Sequence, residues 1–285
     1  MPTSGTVNSP TAFSAYTDYS IASLNLNSVM RRLAQGTKSV VDDGAGVAIS
    51  ERMRSQAGSS NMAMHNTENA ISLLQTADTW MQQISDHLAR LHELAVDAAD
   101  GTKTSTDKAN IQTEFSALQN EIQRITSGAA KFNGQMLFDT TFSGAGAAVQ
   151  VGADSGQAIN IVLTDLASTA TTTMSTGLNW SMLADSALSA TNMTGGDLIE
   201  GLQAAVNFIA QKRASVGAQQ GRFEKTRGAL IAYENQIRGA ENKVRSIDTA
   251  REAADLMKYQ VLSQIATAMM AQGNQLPASA VQLVG

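Results

Sequence analysis

Apolar residues recur at helical spacing over most of this chain, and the longest run lies toward its C-terminus. Leu202, Ile209, Val216, Phe223, Leu230, Ile237 and Val244 stand seven residues apart throughout. A strict seven-residue repeat keeps one helix position turned toward a partner. The second seam position is weaker, reading Ala205, Lys212, Gln219, Thr226, Tyr233, Ala240 and Ile247. The pattern predicts a long helix with one narrow apolar stripe rather than a zipper with two full seams. At 1.5 Å per residue, Leu202 to Val244 spans roughly 60–65 Å. Burial of all seven stripe residues would contribute on the order of 10–20 kcal/mol, an upper bound because unfolded chains are themselves compact.

Partners for that helix lie upstream. Leu74, Ala77, Met81, Ile84, Leu88, Leu91 and Ala95 alternate spacings of three and four. After a turn at Asp100-Gly101, a second helix is predicted to begin near Thr104 to Asp107. Its stripe is Ile111, Phe115, Leu118, Ile122 and Ile125. The three helices can share one intramolecular core. Both chain ends add helical patterns: Leu26, Val29, Met30 and Leu33 near the start, and Ala250, Ala253, Ala254, Met257, Val261, Ile265, Ala268 and Met269 near the end. Isolated helices of this length are marginal in water, so the ends are expected to be disordered in the free monomer and to order on assembly.

The middle differs. From Asp139 to Gly196 the chain is rich in Thr, Ser, Gly and Ala. Val149 to Val151 and Ala158 to Leu163 read as short strands of a hairpin around Gly152 to Gly156. Ala167 to Thr176 is low-complexity and reads as a surface loop. The fold class is therefore mainly α, a long antiparallel helical bundle with a small β-hairpin insertion and terminal helices that order on assembly.

Composition agrees with thin helix seams. Aromatics make up 5% of the chain and all hydrophobic residues 43%, so the seams are aliphatic and a thick globular core is disfavoured. The prolines are Pro2, Pro10 and Pro277; the stretch between the last two permits uninterrupted helices. A net charge of −5 gives little support to a nucleic-acid partner, whose phosphates must be neutralised. No apolar run is long enough to span a membrane. With no cysteine, disulfides, zinc–thiolate sites and thiol nucleophiles are excluded. Met1 to Tyr16 lacks the basic and apolar regions of a Sec-type signal peptide, and on these facts alone a cytosolic protein would be expected.

Catalytic patterns are weak. His87 and His92 stand five apart, off the same-face spacing of a metal pair, and His92-Glu93 is no zincin motif. Gly44-Ala45-Gly46 and Gly144-Ala145-Gly146 lack the rest of a dinucleotide loop. Asp42-Asp43 reads as a pair of capping groups before the Gly44 and Gly46 turn into a helix. No enzyme activity, cofactor or metal is expected. Asn179-Trp180-Ser181 and Asn192-Met193-Thr194 fit the short N-linked glycan code, and Ser or Thr of the middle are candidate O-linked sites.

Several blocks carry a resemblance. Arg32-Leu33-Ala34-Gln35-Gly36 and Asp42 to Met53 resemble the N-terminal signature of bacterial flagellins. So do Asn69 to Ala77, Arg90 to Val96 and Phe132-Asn133-Gly134. Arg213 to Phe223 and Ala271 to Pro277 resemble the family's C-terminal blocks. The resemblance covers nearly everything outside residues 140–195, whereas Met1 to Tyr19 departs from the usual family opening.

The resemblance implies a structural subunit polymerising into the flagellar filament. Residues 1–40 with 245–285 would be terminal helices of the inner core, 41–139 with 196–244 an outer rod, and 140–195 a short variable segment, giving a filament without a large outer domain. The polymerisation interface would be Leu24, Val29, Leu33, Met257, Val261, Ile265 and Met269. An export chaperone would hold Val261, Leu262, Ile265 and Met269. Implied partners are the chain itself, that chaperone, the export apparatus, and the filament cap and hook-junction proteins. Export would proceed through the flagellar channel without a cleaved signal, to an extracellular filament. Arg90, Glu93, Leu94 and Glu114 would meet the animal Toll-like flagellin receptor, although Ala89 departs from the stimulatory pattern. The alternatives are a hook–filament junction protein, a flagellin-like surface protein binding polysaccharide, and a cytosolic coiled-coil scaffold.

Overall fold

The structure, a computed structural model, describes the backbone of residues 10–166 and 196–284 and the side chains of 13–166 and 198–272. The low-complexity tract, Trp180 and both glycan sequons lie outside the described residues. In chain order the helices are α1 (Pro10–Gln35), α2 (Gly44–Ala98), α3 (Ser105–Arg124), α4 (Gly196–Arg245) and α5 (Thr249–Val284). A π-helical turn, Ile125–Ala129, extends α3, and four short strands follow: β1 (Lys131–Phe132), β2 (Gln135–Met136), β3 (Ala147–Gln150) and β4 (Ala158–Ile161). The chain divides into two compact units, residues 56–235 and residues 1–55 with 236–285.

The first of these holds the main core. All seven stripe residues predicted for α2, from Leu74 to Ala95, are fully buried, and they cluster with Phe115, Ile122 and Ile125 of α3. Ile111 and Leu118 pack against the cluster half-buried. From α4 the cluster takes Leu202, Ile209, Val216 and Phe223. Burial stops there: Leu230, Ile237 and Val244 are only half-buried. The seven-residue stripe is thus covered over its first four members alone, and the stabilisation expected from seven applies to four. Arg213 of α4 grips Asp78 of α2 through two hydrogen bonds, Nε to Oδ1 at 2.8 Å and Nη2 to Oδ2 at 3.3 Å.

Local chemistry sets the element ends. Thr104 and Asp107 form a reciprocal capping box that starts α3 at the expected place,. Asp43 accepts the Gly46 N–H at 2.8 Å, capping α2, and a side chain at Gly46 would collide with that carboxylate. Gly36 ends α1 with φ +68 and donates its N–H to the Arg32 carbonyl, as a left-handed cap requires.

The β3–β4 hairpin forms as predicted, with Val149 opposite Ile159, but Val151, Val162 and Leu163 lie beyond its strands. Leu163 and Leu166 instead donate their N–H groups to the carbonyls of Phe142 and Phe138, closing the insertion over buried Leu137, Phe138 and Phe142. The β1–β2 ladder was not expected. Its turn is Asn133-Gly134, both at positive φ, the pair favoured in two-residue hairpins.

Candidate assembly interface

In the terminal unit α1 packs on α5 through a thin seam of small side chains. Ala15, Ala22 and Val29, seven residues apart on α1, are buried, as is Ala266 on α5. Alanine at such positions lets two helices approach closely while covering little area. Half-buried Leu256, Tyr259, Ser263 and Met270 continue the inward face of α5.

That geometry puts the apolar stripe read from sequence on the outside. Met257, Val261, Ile265 and Met269 are each at least half exposed, and Ala250, Ala254 and Ala268 are exposed as well. On α1, Leu24 is 67% exposed, and Phe13, Tyr16, Ile21 and Met30 are also open to solvent. Leu33 is half-buried. Val29, by contrast, belongs to the seam at 1% exposure, so within one chain it joins the helices instead of facing outward. Leu262 is exposed and, with Ile265 and Met269, lines a groove of about 300 Å³ between α1 and α5.

A polar cluster closes the other end of this helix pair. Arg32 donates from Nε and Nη2 to the two Glu252 oxygens, both at 3.0 Å, and from Nη1 to Asp42 at 2.9 Å. The Glu252 hydrogen bonds hold the Arg32 pKa above its ordinary value against the opposing effect of burial. Asp42 also accepts the Ser39 hydroxyl at 2.6 Å and the Ser39 N–H at 3.0 Å; these bonds, more than Arg32, keep its carboxyl below the ordinary range. Of the two candidate caps read from sequence, Asp43 therefore caps α2, whereas Asp42 instead closes the Ser39 turn before it. Thr37 pairs with Ser246 as a single β-bridge, Lys38 donates its N–H to the Arg245 carbonyl, and Arg245 pairs with Glu51 at 2.6 Å. Asp248 caps α5 by accepting the Ala250 and Arg251 N–H groups. Sequence patterns do not reveal this cluster, because its members lie up to 220 residues apart.

On α2 and α3, Arg90 bonds to Glu114 at 2.8 Å and to Glu93 at 3.0 Å. Three of the four receptor candidates thus form one exposed cluster, and the Glu93 bond leads those that raise the Arg90 pKa. Leu94, the fourth, is buried in the core. Among the described residues no group of three or more His, Cys, Asp or Glu could hold a metal ion. No described helix is long and apolar enough to cross a membrane.

Comparison with known proteins bears on the whole chain. Residues 8–143 match the bacterial flagellin N-terminal helical region, and residues 199–284 match the bacterial flagellin C-terminal helical region. A flagellin of Halalkalibacterium halodurans is 33% identical over 266 residues, 92% of this chain and 93% of its own length. A flagellin of Bacillus subtilis is 34% identical over 278 residues, covering 90% and 91%. The flagellar filament 33 kDa core protein of Treponema phagedenis is 33% identical over 272 residues, covering 92% and 93%.

Proposed function

The chain belongs to the bacterial flagellin family, and we propose that it polymerises through the outward stripes of its terminal helices. As a member of that family it is a structural subunit of the flagellar filament. The polymerising surface is Leu24, Leu33, Met257, Val261, Ile265 and Met269, with Val29 holding the two helices together beneath it. One observation carries this reading: the stripe that sequence marks as most apolar on α5 is the side left uncovered when α5 meets α1. Apolar surface of that extent is costly in water and marks an interaction site. Identical copies can cover it, and a repeated heterologous contact whose rotation does not close yields a helical filament.

In this reading residues 1–40 with 245–285 form the inner core, 41–139 with 196–244 the outer rod, and 140–195 the short variable segment. The terminal helices gain their full stability only when neighbours cover them, so folding of the ends and assembly are coupled. The same stripe serves an export chaperone before assembly, with Val261, Leu262, Ile265 and Met269 as anchors in the chaperone's groove. One face cannot meet both partners at once, so chaperone release precedes polymerisation. Export passes through the flagellar channel and delivers the subunit outside the cell, where cap and junction proteins bound the filament. The role is structural, not enzymatic. Arg90, Glu93 and Glu114 present a charged patch for the animal Toll-like flagellin receptor, with Leu94 supporting it from within; activation of a receptor reporter by monomer tests that assignment.

Removal of residues 256–285 tests the assembly reading. The shortened chain should stay monomeric while α2, α3 and α4 keep their helical signal in circular dichroism. Long filaments from the shortened chain would refute it.

A further inference from the structure

The loop between α1 and α2 carries two valines with no part in the fold. Val40 is 68% exposed and Val41 92% exposed. The turn that presents them is nonetheless rigid. Asp42 accepts both the N–H and the hydroxyl of Ser39, Asp42 and Asp43 donate their N–H groups to the Ser39 carbonyl, and Arg32 fixes Asp42. On the other side, Thr37 and Lys38 are tied to Ser246 and Arg245. A pre-ordered apolar knob loses little conformational freedom on docking, and an exposed pair of β-branched side chains is unfavourable until it docks.

The same unit carries an apolar hollow. The groove between α1 and α5 is lined by Ala15, Ile21, Ala22, Leu262, Ile265 and Met269 and encloses about 300 Å³. It suits two valine side chains and is too small for a helix, which is about 10–12 Å across with its side chains. Asp18 also lines it, and Lys38 beside the knob is already paired with Asp43 at 3.8 Å, so the match between the two surfaces is one of apolar shape and size.

We propose that the Val40–Val41 tip of one copy seats in the α1–α5 groove of a second copy. Knob and groove are different surfaces of one unit, so each copy offers both and the contact is heterologous; repeated, it grows without closing on itself. The inference rests on the filament-subunit reading and adds to the outward stripes a specific contact that orients neighbouring copies.

The chain has no cysteine, which makes a direct test clean. Val41→Cys combined with Asn25→Cys, a groove residue, is assembled under reduction and then oxidised. The expected result is an open ladder of dimers, trimers and higher species on a non-reducing gel, with each single variant stopping at dimers or below. Filaments visible by electron microscopy without a ladder would overturn the contact. A second variant, Val40→Ser/Val41→Ser, changes only exposed side chains; its critical concentration for assembly should rise at least about tenfold, and an unchanged value would equally overturn it. Unmodified protein that failed to polymerise even on added filament seeds would instead count against the filament surface itself, a different outcome from filaments that lack the ladder.

Discussion

Arg32 holds Glu252 and Asp42 together, and the two carboxylates lie 220 and 10 residues after it in sequence. Asp42 has its pKa lowered chiefly by the Ser39 hydroxyl and amide. A carboxyl depressed in the folded state stabilises above its unfolded pKa of about 3.9, and that contribution is lost as pH falls through the folded value. Exchange protection of the Ser39 amide should therefore hold from neutral pH to about pH 4 and fall below it. Asp42→Ala should remove that protection at pH 7, at a cost of roughly 1 kcal/mol. Gln219 gives a second residue-scale prediction. Its carboxamide accepts the Val162 N–H at 2.9 Å and donates to the Val162 carbonyl at 2.8 Å, so it pins the chain just after β4 to α4 as a strand would. Gln219→Ala should cost about 1–2 kcal/mol and speed amide exchange at Val162. Gln219→Glu keeps the acceptor but sets a carboxylate against the Val162 carbonyl, and should not rescue the loss.

Among the elements, α4 divides at Phe223. Its stripe is buried from Leu202 to Phe223 and half-covered from Leu230 onward. Phe223→Ala should destabilise the monomer by about 3–5 kcal/mol, a buried-aromatic loss, whereas Leu230→Ala should cost roughly 1 kcal/mol or less, since less apolar area leaves the protein interior. Urea unfolding of the two variants measures the difference. Periodicity was a good guide where seam residues are large: every α2 stripe residue from Leu74 to Ala95 is buried. On α1 it found Val29 but missed Ala15 and Ala22 of the buried seam, because alanine is a faint hydrophobic signal and larger exposed neighbours outweigh it. It also found the α5 stripe without indicating which way the stripe faces, because apolar spacing does not distinguish a partner in the same chain from one in another. The Asn133-Gly134 turn was visible in the sequence, but strands of two residues leave no alternation to read. Gln219 looked like a weak seam position; its role depends on an insertion 57 residues away.

For the whole molecule, two kinds of surface serve two purposes. The α2–α3–α4 core is closed by its own chain, with Arg213 and Asp78 joining two of its helices. Among the described residues the terminal helix pair keeps a small buried seam and leaves many large apolar side chains exposed, so in the proposed filament it is the part that neighbours would stabilise. The junction and polysaccharide-binding alternatives give way to a filament subunit, the role carried by the family and its relatives. In the proposed filament the exposed α5 stripe drives assembly. The most direct measurement is sedimentation and electron microscopy of Met257→Asp/Val261→Asp beside the unmodified chain, at equal concentration and with the same filament seeds. Filaments from the unmodified chain, with a soluble and equally helical double variant, are the predicted result. Long filaments from the double variant, at an unchanged critical concentration, would contradict it.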